Sequence, residues 1–366
     1  MTASTPTPIV QFGTSRFLQA HVDLFVSEAM ERDAARGPIT IVQTTSSADR
    51  AGRLGALAAE GGFPVIIRGL ENGAPIERSQ QVKSVARALS AGSDWPEITR
   101  IVVEEAEILL SNTGDTGYVV AEDDEAEGVP ASFPGKLLRL LHARFVANGR
   151  GLTVLPCELV SRNGSVLKRI LLDLAERRIG DASFTRWLDT ALVWGNSLVD
   201  RIVSEPLQPA GAVAEPYALW AIERQPGLQV PCTHPAIRLV EDLEPYEALK
   251  LHILNLGHTV LADLWLKGGR APDETVRAIL GEPAIKAQLQ AIYAQEVIPA
   301  FAAKGLGEEA GAYVAETMER FENPFLDHRL RDIAQNHAEK IRRRLGGLKA
   351  WSPQTPMPAL DRIIAG

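Results

Sequence analysis

Short apolar runs alternate with amphipathic stretches through the first half of the chain, and this alternation constrains the fold more than any other feature. Ile9-Val10-Gln11-Phe12 reads as a buried strand ending at Gly13, and a helical pattern follows from about Arg16 to Arg32. After a break at Gly37-Pro38, Ile39 to Gln43 reads as a second strand, and Ala48 to Glu60 is helical again. Val65–Ile67, Ile108–Leu110 and Thr153–Leu155 read as further strands, with a helix from Pro134 to Asn148. Strands recurring between helices imply a parallel sheet covered on both faces, an α/β fold. Gln208 to Ala212 reads as a loop, and beyond Leu243 the strand signals stop. Helical patterns then cover about Tyr246–Leu266, Pro272–Leu280, Pro283–Lys304, Glu308–Arg320 and Asp327–Leu345.

Composition narrows the function class. A length of 366 residues suits two domains or three. Lys+Arg number 38 and Asp+Glu 46, so the formal charge is −8. An acidic balance argues against nucleic acid or an anionic membrane as the main partner. No apolar run approaches the roughly 18 residues that span a bilayer. The opening MTASTPTP has neither the basic nor the apolar region of a secretory signal, so a soluble cytoplasmic enzyme is expected. Cys157 and Cys232 form no disulfide framework, and no Cys/His set has zinc spacing, so no metal is expected. The acidic stretch Glu122 to Glu125 reads as a loop without a role.

Gly13-Thr14-Ser15-Arg16-Phe17 closes the first strand and opens the first helix. Dinucleotides bind at such a turn because the helix N–H groups and dipole attract pyrophosphate. Only the first glycine of the usual G-x-G-x-x-G is present, with Ser15 in the second place, so a plain strand–helix turn is the competing reading. The second strand runs into Thr44-Thr45, with Asp49 and Arg50 beyond. Asp49 suits the ribose hydroxyl of NAD, whereas Arg50 or Arg53 suits the 2′-phosphate of NADP, and the choice stays open. A third strand end enters the polar turn Ser111-Asn112-Thr113.

The segment Lys250-Leu251-His252-Ile253-Leu254-Asn255-Leu256-Gly257-His258 is the most informative. On an α-helix at ~100° per residue, His258 falls ~80° and Asn255 ~140° from Lys250, so the three share one arc. Leu249, Ile253, Leu256 and Val260 form the opposite, docking side. A lysine in a dry site loses affinity for its proton and exchanges it with an alcohol oxygen. Asn255 would donate to the developing alkoxide, and His258 would orient a neighbouring hydroxyl. The bland alternative is a solvated polar face with His258 satisfied in the core.

Taken together these residues resemble a known family. Lys250-x4-Asn255-x2-His258 is similar to the signature of the long-chain polyol and sugar-acid dehydrogenases, the mannitol dehydrogenase family. Ile9 to Asp23 is similar to that family's first strand–turn–helix, and Asn196-Ser197-Leu198-Val199-Asp200-Arg201-Ile202 to its N-[ST]-x-V-D-R-I motif. Further segments resemble the tagaturonate reductase (altronate oxidoreductase) branch: Arg68-Gly69-Leu70-Glu71-Asn72-Gly73, Phe133-Pro134-x-Lys136, Pro156-Cys157-Glu158-Leu159, and Glu215-Pro216-Tyr217. Asn323-Pro324 with His328, Asn336 and Lys340 resembles the family's distal helix.

The resemblance implies a doubly wound Rossmann-type NAD(P)-binding domain over residues 1–240 and a mostly α-helical substrate domain over 241–366. It implies a zinc-independent oxidoreductase interconverting a ketone and a secondary alcohol on a tagaturonate/altronate-like sugar acid or a polyol. Lys250 would be the general acid/base, with Asn255 and His258 polarising the reacting oxygen. Asp200, Lys340, Asn336 and His328 would line the substrate pocket, although Asp200-Arg201 also reads as a structural ion pair. Gly13, Thr14, Ser15, Arg16, Phe17, Thr44, Thr45, Asp49, Ser111, Asn112 and Thr113 would meet the cofactor, NAD or NADP. Leu159 stands where mannitol dehydrogenases carry an asparagine, which disfavours mannitol. The alternative readings are a catalytically silent dinucleotide-binding sensor and an epimerase using bound NAD transiently.

Overall fold

The structure is a computed structural model and describes residues 5–45, 51–114, 116–125 and 128–366. It forms two compact units. The first comprises Met1–Ile66, Ser79–Ala214 and Ala218–Leu243, and the second comprises Ile67–Arg78, Glu215–Tyr217 and Glu244–Gly366.

In the first half of the chain the strands are β1 (Ile9–Phe12), β2 (Ile39–Gln43), β3 (Phe63–Glu71), β4 (Ala74–Val82), β5 (Val85–Ser90), β6 (Ile108–Ser111) and β7 (Thr153–Pro156). They are followed by β8 (Val193–Trp194), β9 (Ser197–Asp200), β10 (Val203–Pro206), β11 (Ala212–Ala214), β12 (Leu219–Glu223) and β13 (Ile237–Val240). A six-stranded sheet has the order β5-β2-β1-β6-β7-β8. Its neighbouring strands pair in parallel, with Ile9 in register with both Ile39 and Ile108. β1, β2, β6 and β7 are buried at every residue. This is why they read as continuous apolar runs rather than as alternating patterns. Val10, Phe12, Leu109 and Val154 pack with Ile98, Ile101, Leu137, Leu141, Leu167 and Leu171 of the helices Trp95–Glu104, Phe133–Ala147 and Asn163–Arg178. The chain turns one way from β1 to β2, and β6 lies on β1's other side. Their carboxyl ends therefore part at the switch point where α/β sheets bind ligands.

Two smaller sheets, β10-β11-β3-β4 and β13-β12-β9, complete the strands. β3 is longer than the expected Val65–Ile67 and alternates buried and half-buried residues. β4, Ala-Pro-Ile-Glu-Arg-Ser-Gln-Gln-Val, is mostly exposed and polar, so it lacks the apolar signal of a strand. The acidic stretch is not merely a solvated loop. Glu122–Glu125 forms a short 3₁₀ turn in which Asp124 is buried, accepts from the Ser132 N–H at 2.7 Å and pairs with Arg178 at 3.5 Å.

The second unit is helical beyond Leu243, as expected, but its helices are interrupted by wide i→i+5 turns. The Tyr246–Leu266 pattern resolves into Glu244–Leu249, a π-helical segment Lys250–Leu254, and Asn255–Lys267. Pro283–Ile292 likewise passes through the π-segment Tyr293–Val297 into Ile298–Ala302. The Asp327–Leu345 pattern breaks into Leu330–Ile333, His337–Lys340 and the π-segment Ile341–Gly346. In the first unit, the expected helix from Arg16 contains a further π-segment, Gln19–Asp23. Ile253, Leu256, Val260, Leu289, Val297, Phe301 and Leu345 share one core, so the helix carrying Lys250 is docked by the apolar side read from its sequence. Among the described residues no helix is long and apolar enough to cross a membrane.

Candidate active site

One candidate site, within the first unit, stands at the end of β1. Gly13 has φ 115°, and a Cβ there would lie 2.6 Å from the Asn112 carbonyl oxygen. Glycine is therefore required both by backbone conformation and by the approach of the β6 end. Ser15 caps the following helix, its Oγ accepting from the Leu18 N–H at 3.2 Å and donating to Asn112 Oδ1 at 3.2 Å. Gly13, Thr14, Ser15, Arg16, Thr44, Thr45, Asn112 and Thr113 line one cavity of about 360 Å³. The sequence-expected cofactor residues are thus largely gathered in one place. Arg53 joins them, donating to the Thr14 carbonyl at 2.8 Å. Phe17 instead stacks on His21, with ring centroids 4.7 Å apart. Asp49 and Arg50 lie outside the described residues. A turn opened by a glycine, a helix start and a floor of hydroxyl and amide groups fit a dinucleotide.

The turn Ser111-Asn112-Thr113 is built by Cys157-Glu158. The buried Glu158 carboxylate accepts from Ser111 Oγ at 2.9 Å and from both the Thr113 N–H and Oγ1 at 3.0 Å. Asn112 Nδ2 donates to the Cys157 carbonyl at 2.8 Å. Ser111 thus faces Glu158 and shapes the turn from beneath. The N-S-x-V-D-R-I segment is similarly structural at its start. Asn163 Nδ2 donates to the carbonyls of Pro156 and Ser197 at 3.0 and 2.9 Å, and Ser197 Oγ to Pro156 at 2.6 Å, stitching β7 to β9. Asp200 is buried at the end of β9. Arg201 donates to the Ala20 carbonyl at 2.7 Å.

A separate group of candidate residues, within the second unit, is the Lys–Asn–His segment. Its geometry differs from the α-helical expectation. The Asn255 N–H donates to the Lys250 carbonyl, a bond that closes a wide turn over five residues. Asn255 therefore lies about one turn above Lys250, instead of ~140° round the helix as regular α geometry would have it. Both side chains are half-buried, whereas His258 is fully buried.

His258 packs against Phe321 and His328, with ring centroids at 4.5 and 4.6 Å. His258 Nε2 and His328 Nδ1 are buried and have no hydrogen-bond partner among the described residues. Burial holds His258 well below the usual histidine range, and His328, Arg344, Arg320 and Lys340 push it the same way. Burial takes His328 down to about 4; Asp332 opposes this, and Arg320 and Lys340 reinforce it. Both rings are therefore neutral at neutral pH, each with one nitrogen able to accept. Lys340 is half-buried, its Nζ donating to the Ile333 carbonyl at 2.7 Å. Asn336 is exposed, with φ 54°, and starts the turn that carries Lys340.

Several residues at this centre were not foreseen. Arg320 is buried and bidentate to Glu215, at 3.0 and 2.8 Å, with the Tyr217 ring 4.4 Å beneath its guanidinium. The Glu215-Pro216-Tyr217 segment thus orients a cation whose field reaches both histidines. Arg344 donates to the Asn255 carbonyl at 3.1 Å and to Thr259 Oγ1 at 3.0 Å. The Tyr293 hydroxyl donates to the Ile253 carbonyl at 2.9 Å. Gly257 was the available signal, since a glycine inside a helix usually has a packing reason. Among the described residues no group of three or more His, Cys, Asp or Glu side chains is arranged to hold a metal ion.

Residues 7–232 match the family model of the mannitol dehydrogenase Rossmann domain, and residues 242–349 match that of the mannitol dehydrogenase C-terminal domain. Altronate oxidoreductase of Bacillus subtilis (strain 168) is 29% identical over 95% of this chain and 76% of its own length. Altronate oxidoreductase of Enterobacter sp. (strain 638) is 30% identical over 93% of this chain and 74% of its own. Among solved structures, a substrate-free D-sorbitol dehydrogenase aligns with a TM-score of 0.79 at 22% identity, over 93% of this chain and 74% of that one. Pseudomonas fluorescens mannitol 2-dehydrogenase, solved with NAD and D-mannitol, aligns with a TM-score of 0.73 at 19% identity, over 99% of this chain and 79% of that one. These two share the fold. With both domain families matched across most of its length, the chain belongs to the mannitol dehydrogenase family.

Proposed function

We propose that the protein is an NAD(P)-linked oxidoreductase that interconverts a ketone and a secondary alcohol on a sugar acid of the altronate type. The observation that carries the substrate class is the pair of unpartnered nitrogens on His258 and His328, set in the field of Lys340, Arg344 and Arg320. Neutral imidazoles receive hydroxyl protons, and Lys340 and Arg344 favour a substrate carrying a carboxylate over an uncharged polyol, the charge of Arg320 being matched by Glu215. The names of the similar curated proteins support the same choice.

Gly13, Thr14, Ser15, Asn112 and Thr113 would hold the dinucleotide, whose nicotinamide supplies or receives the hydride. Lys250 transfers the proton. In the reducing direction its ammonium gives a proton to the carbonyl oxygen, and in the oxidising direction its amine takes one from the alcohol. Asn255, one turn above, donates an amide hydrogen to the oxygen as negative charge develops on it. His258 orients the neighbouring hydroxyl.

The test is absorbance at the reduced-nicotinamide band, with NAD⁺ and NADP⁺ offered separately against altronate, other aldonates, mannitol and sorbitol. Turnover with aldonates well above that with polyols is expected. Faster turnover of uncharged polyols would overturn the substrate class. No substrate-dependent change, with NADH still bound, would favour a silent sensor.

A further inference from the structure

We propose that Tyr293 is a positioning residue, its hydroxyl holding open the wide turn that sets Asn255 above Lys250. The proposal rests on the reaction assigned above for its catalytic meaning, but its geometry stands independently.

A π-turn is uncommon and usually marks a functional position, because regular α-helix is the easier state for the same chain. Something outside the helix must favour the wide form here. The Tyr293 hydroxyl reaches the Ile253 carbonyl at 2.9 Å, inside the Lys250–Leu254 turn. A main-chain carbonyl has two lone pairs, so it accepts this bond in addition to any within the helix. Tyr293 is 1% exposed, and burial pushes its hydroxyl up, so it remains a proton donor across the working pH range.

The helix is shaped to admit this hydroxyl. A Cβ at Gly257 would lie 2.0 Å from the Tyr293 oxygen and 2.9 Å from Phe321 Cε2. Glycine in a helix interior is unfavourable relative to alanine, and the bare backbone here serves as the notch through which the tyrosine passes. Tyr293 itself opens a π-segment, its carbonyl accepting from the Ile298 N–H five residues on. Two other groups brace the same turn. His252 Nδ1 lies 2.8 Å from the Arg344 carbonyl, and Arg344 donates to the Asn255 carbonyl at 3.1 Å. Neither bonds to Ile253, and among the described residues the side-chain hydrogen bond to the middle of the turn is the one from Tyr293. Released from it, the segment relaxes toward α geometry and carries the Asn255 amide round the helix, away from the lysine.

The decisive variant is Tyr293→Phe, which keeps the ring and removes the donor. In the intact protein, amide hydrogen exchange of residues 250–258 is expected to quicken by roughly tenfold, as for a lost buried hydrogen bond. Residues 133–147 should keep their rate. With altronate and NAD⁺, kcat is expected to fall by about tenfold while KM for NAD⁺ is unchanged, a split that general destabilisation does not produce. Gly257→Ala should quicken exchange less in the Tyr293→Phe background than alone, because the hydroxyl it strikes is gone. Wild-type exchange in residues 250–258 of Tyr293→Phe overturns the proposal. So does quickened exchange with kcat unaltered in an enzyme that turns over altronate. If the unmodified protein oxidises no sugar acid, the assigned reaction fails, while the exchange measurement still decides whether Tyr293 holds the turn.

Discussion

The main-chain N–H of Asn255 donates to the carbonyl of Lys250, five residues earlier, and this one bond closes a wide turn between the two residues. Regular α-helix would bond Asn255 to Leu251 and point the two side chains well apart. The wide turn therefore shifts Asn255, the proposed oxyanion donor, toward the side of Lys250, the proposed proton carrier.

Lys250→Ala removes the proton carrier and leaves the glycine turn untouched. Turnover with altronate should fall by about 10²- to 10⁴-fold, the usual worth of general acid–base catalysis. The NADH dissociation constant, read by fluorescence titration, should stay within twofold. Turnover near the wild-type level would remove Lys250 from its role.

Lys340→Met tests the substrate's charge. The half-buried ammonium gives one hydrogen bond to the Ile333 carbonyl and, with Arg320 and Arg344, makes the surroundings of His258 positive. KM for altronate should rise by about ten- to a hundredfold, the range for a charge-assisted hydrogen bond. Activity on sorbitol, if any, should change little, and equal losses on both substrates would count against carboxylate recognition.

Gly13→Ala addresses the cofactor turn. At φ 115°, with the Asn112 carbonyl oxygen 2.6 Å from the new Cβ, alanine strains the backbone and pushes the β6 end away. Destabilisation of about 1–3 kcal/mol is expected in urea unfolding. NADH should bind more weakly by at least about tenfold, whereas a variant binding NADH normally would place the dinucleotide elsewhere.

Acid sensitivity follows from His21. Burial pushes it down to about 3, against a weaker opposing effect of its bond with the Leu219 carbonyl. The unfolded chain protonates this ring near pH 6.5 and the folded one only near 3, so between those values the unfolded state binds more protons. Stability is then fully present above about pH 6.5 and is lost as pH falls toward 3, by up to about 1.4 kcal/mol per pH unit. His328, down to about 4, acts with the same sign. Urea midpoints from pH 7.5 to 4.5 should fall less steeply for His21→Gln than for the parent. Parallel slopes would show that His21 is not the group responsible.

Much of the fold was legible because parallel strands buried on both faces are predominantly apolar, as Ile9–Phe12, Ile39–Gln43 and Ile108–Ser111 are. The polar β4 was not, because a strand with most residues exposed needs no apolar pattern. In the site, Lys250, Asn255 and His258 stood out by spacing, and the glycine turn by its place after a strand. Tyr293, Arg320 and Arg344 carried no such signal. Each lies tens of residues from the group it touches, and nothing local distinguishes a tyrosine that fills a core from one whose hydroxyl meets a carbonyl.

The sequence by itself determined the layered sheet, the helical second half and the side on which the Lys250 helix docks, since these depend on apolar periodicity over neighbouring residues. Only the tertiary structure decided that this helix would widen at Lys250–Leu254 and that the buried His258 and half-buried His328 would remain neutral among cations. Both depend on contacts between distant segments. A hydrogen bond from Tyr293 reaches the turn across forty residues of chain, and burial together with charges from Arg320, Lys340 and Arg344 acts on rings that no local pattern could have told apart from solvated ones.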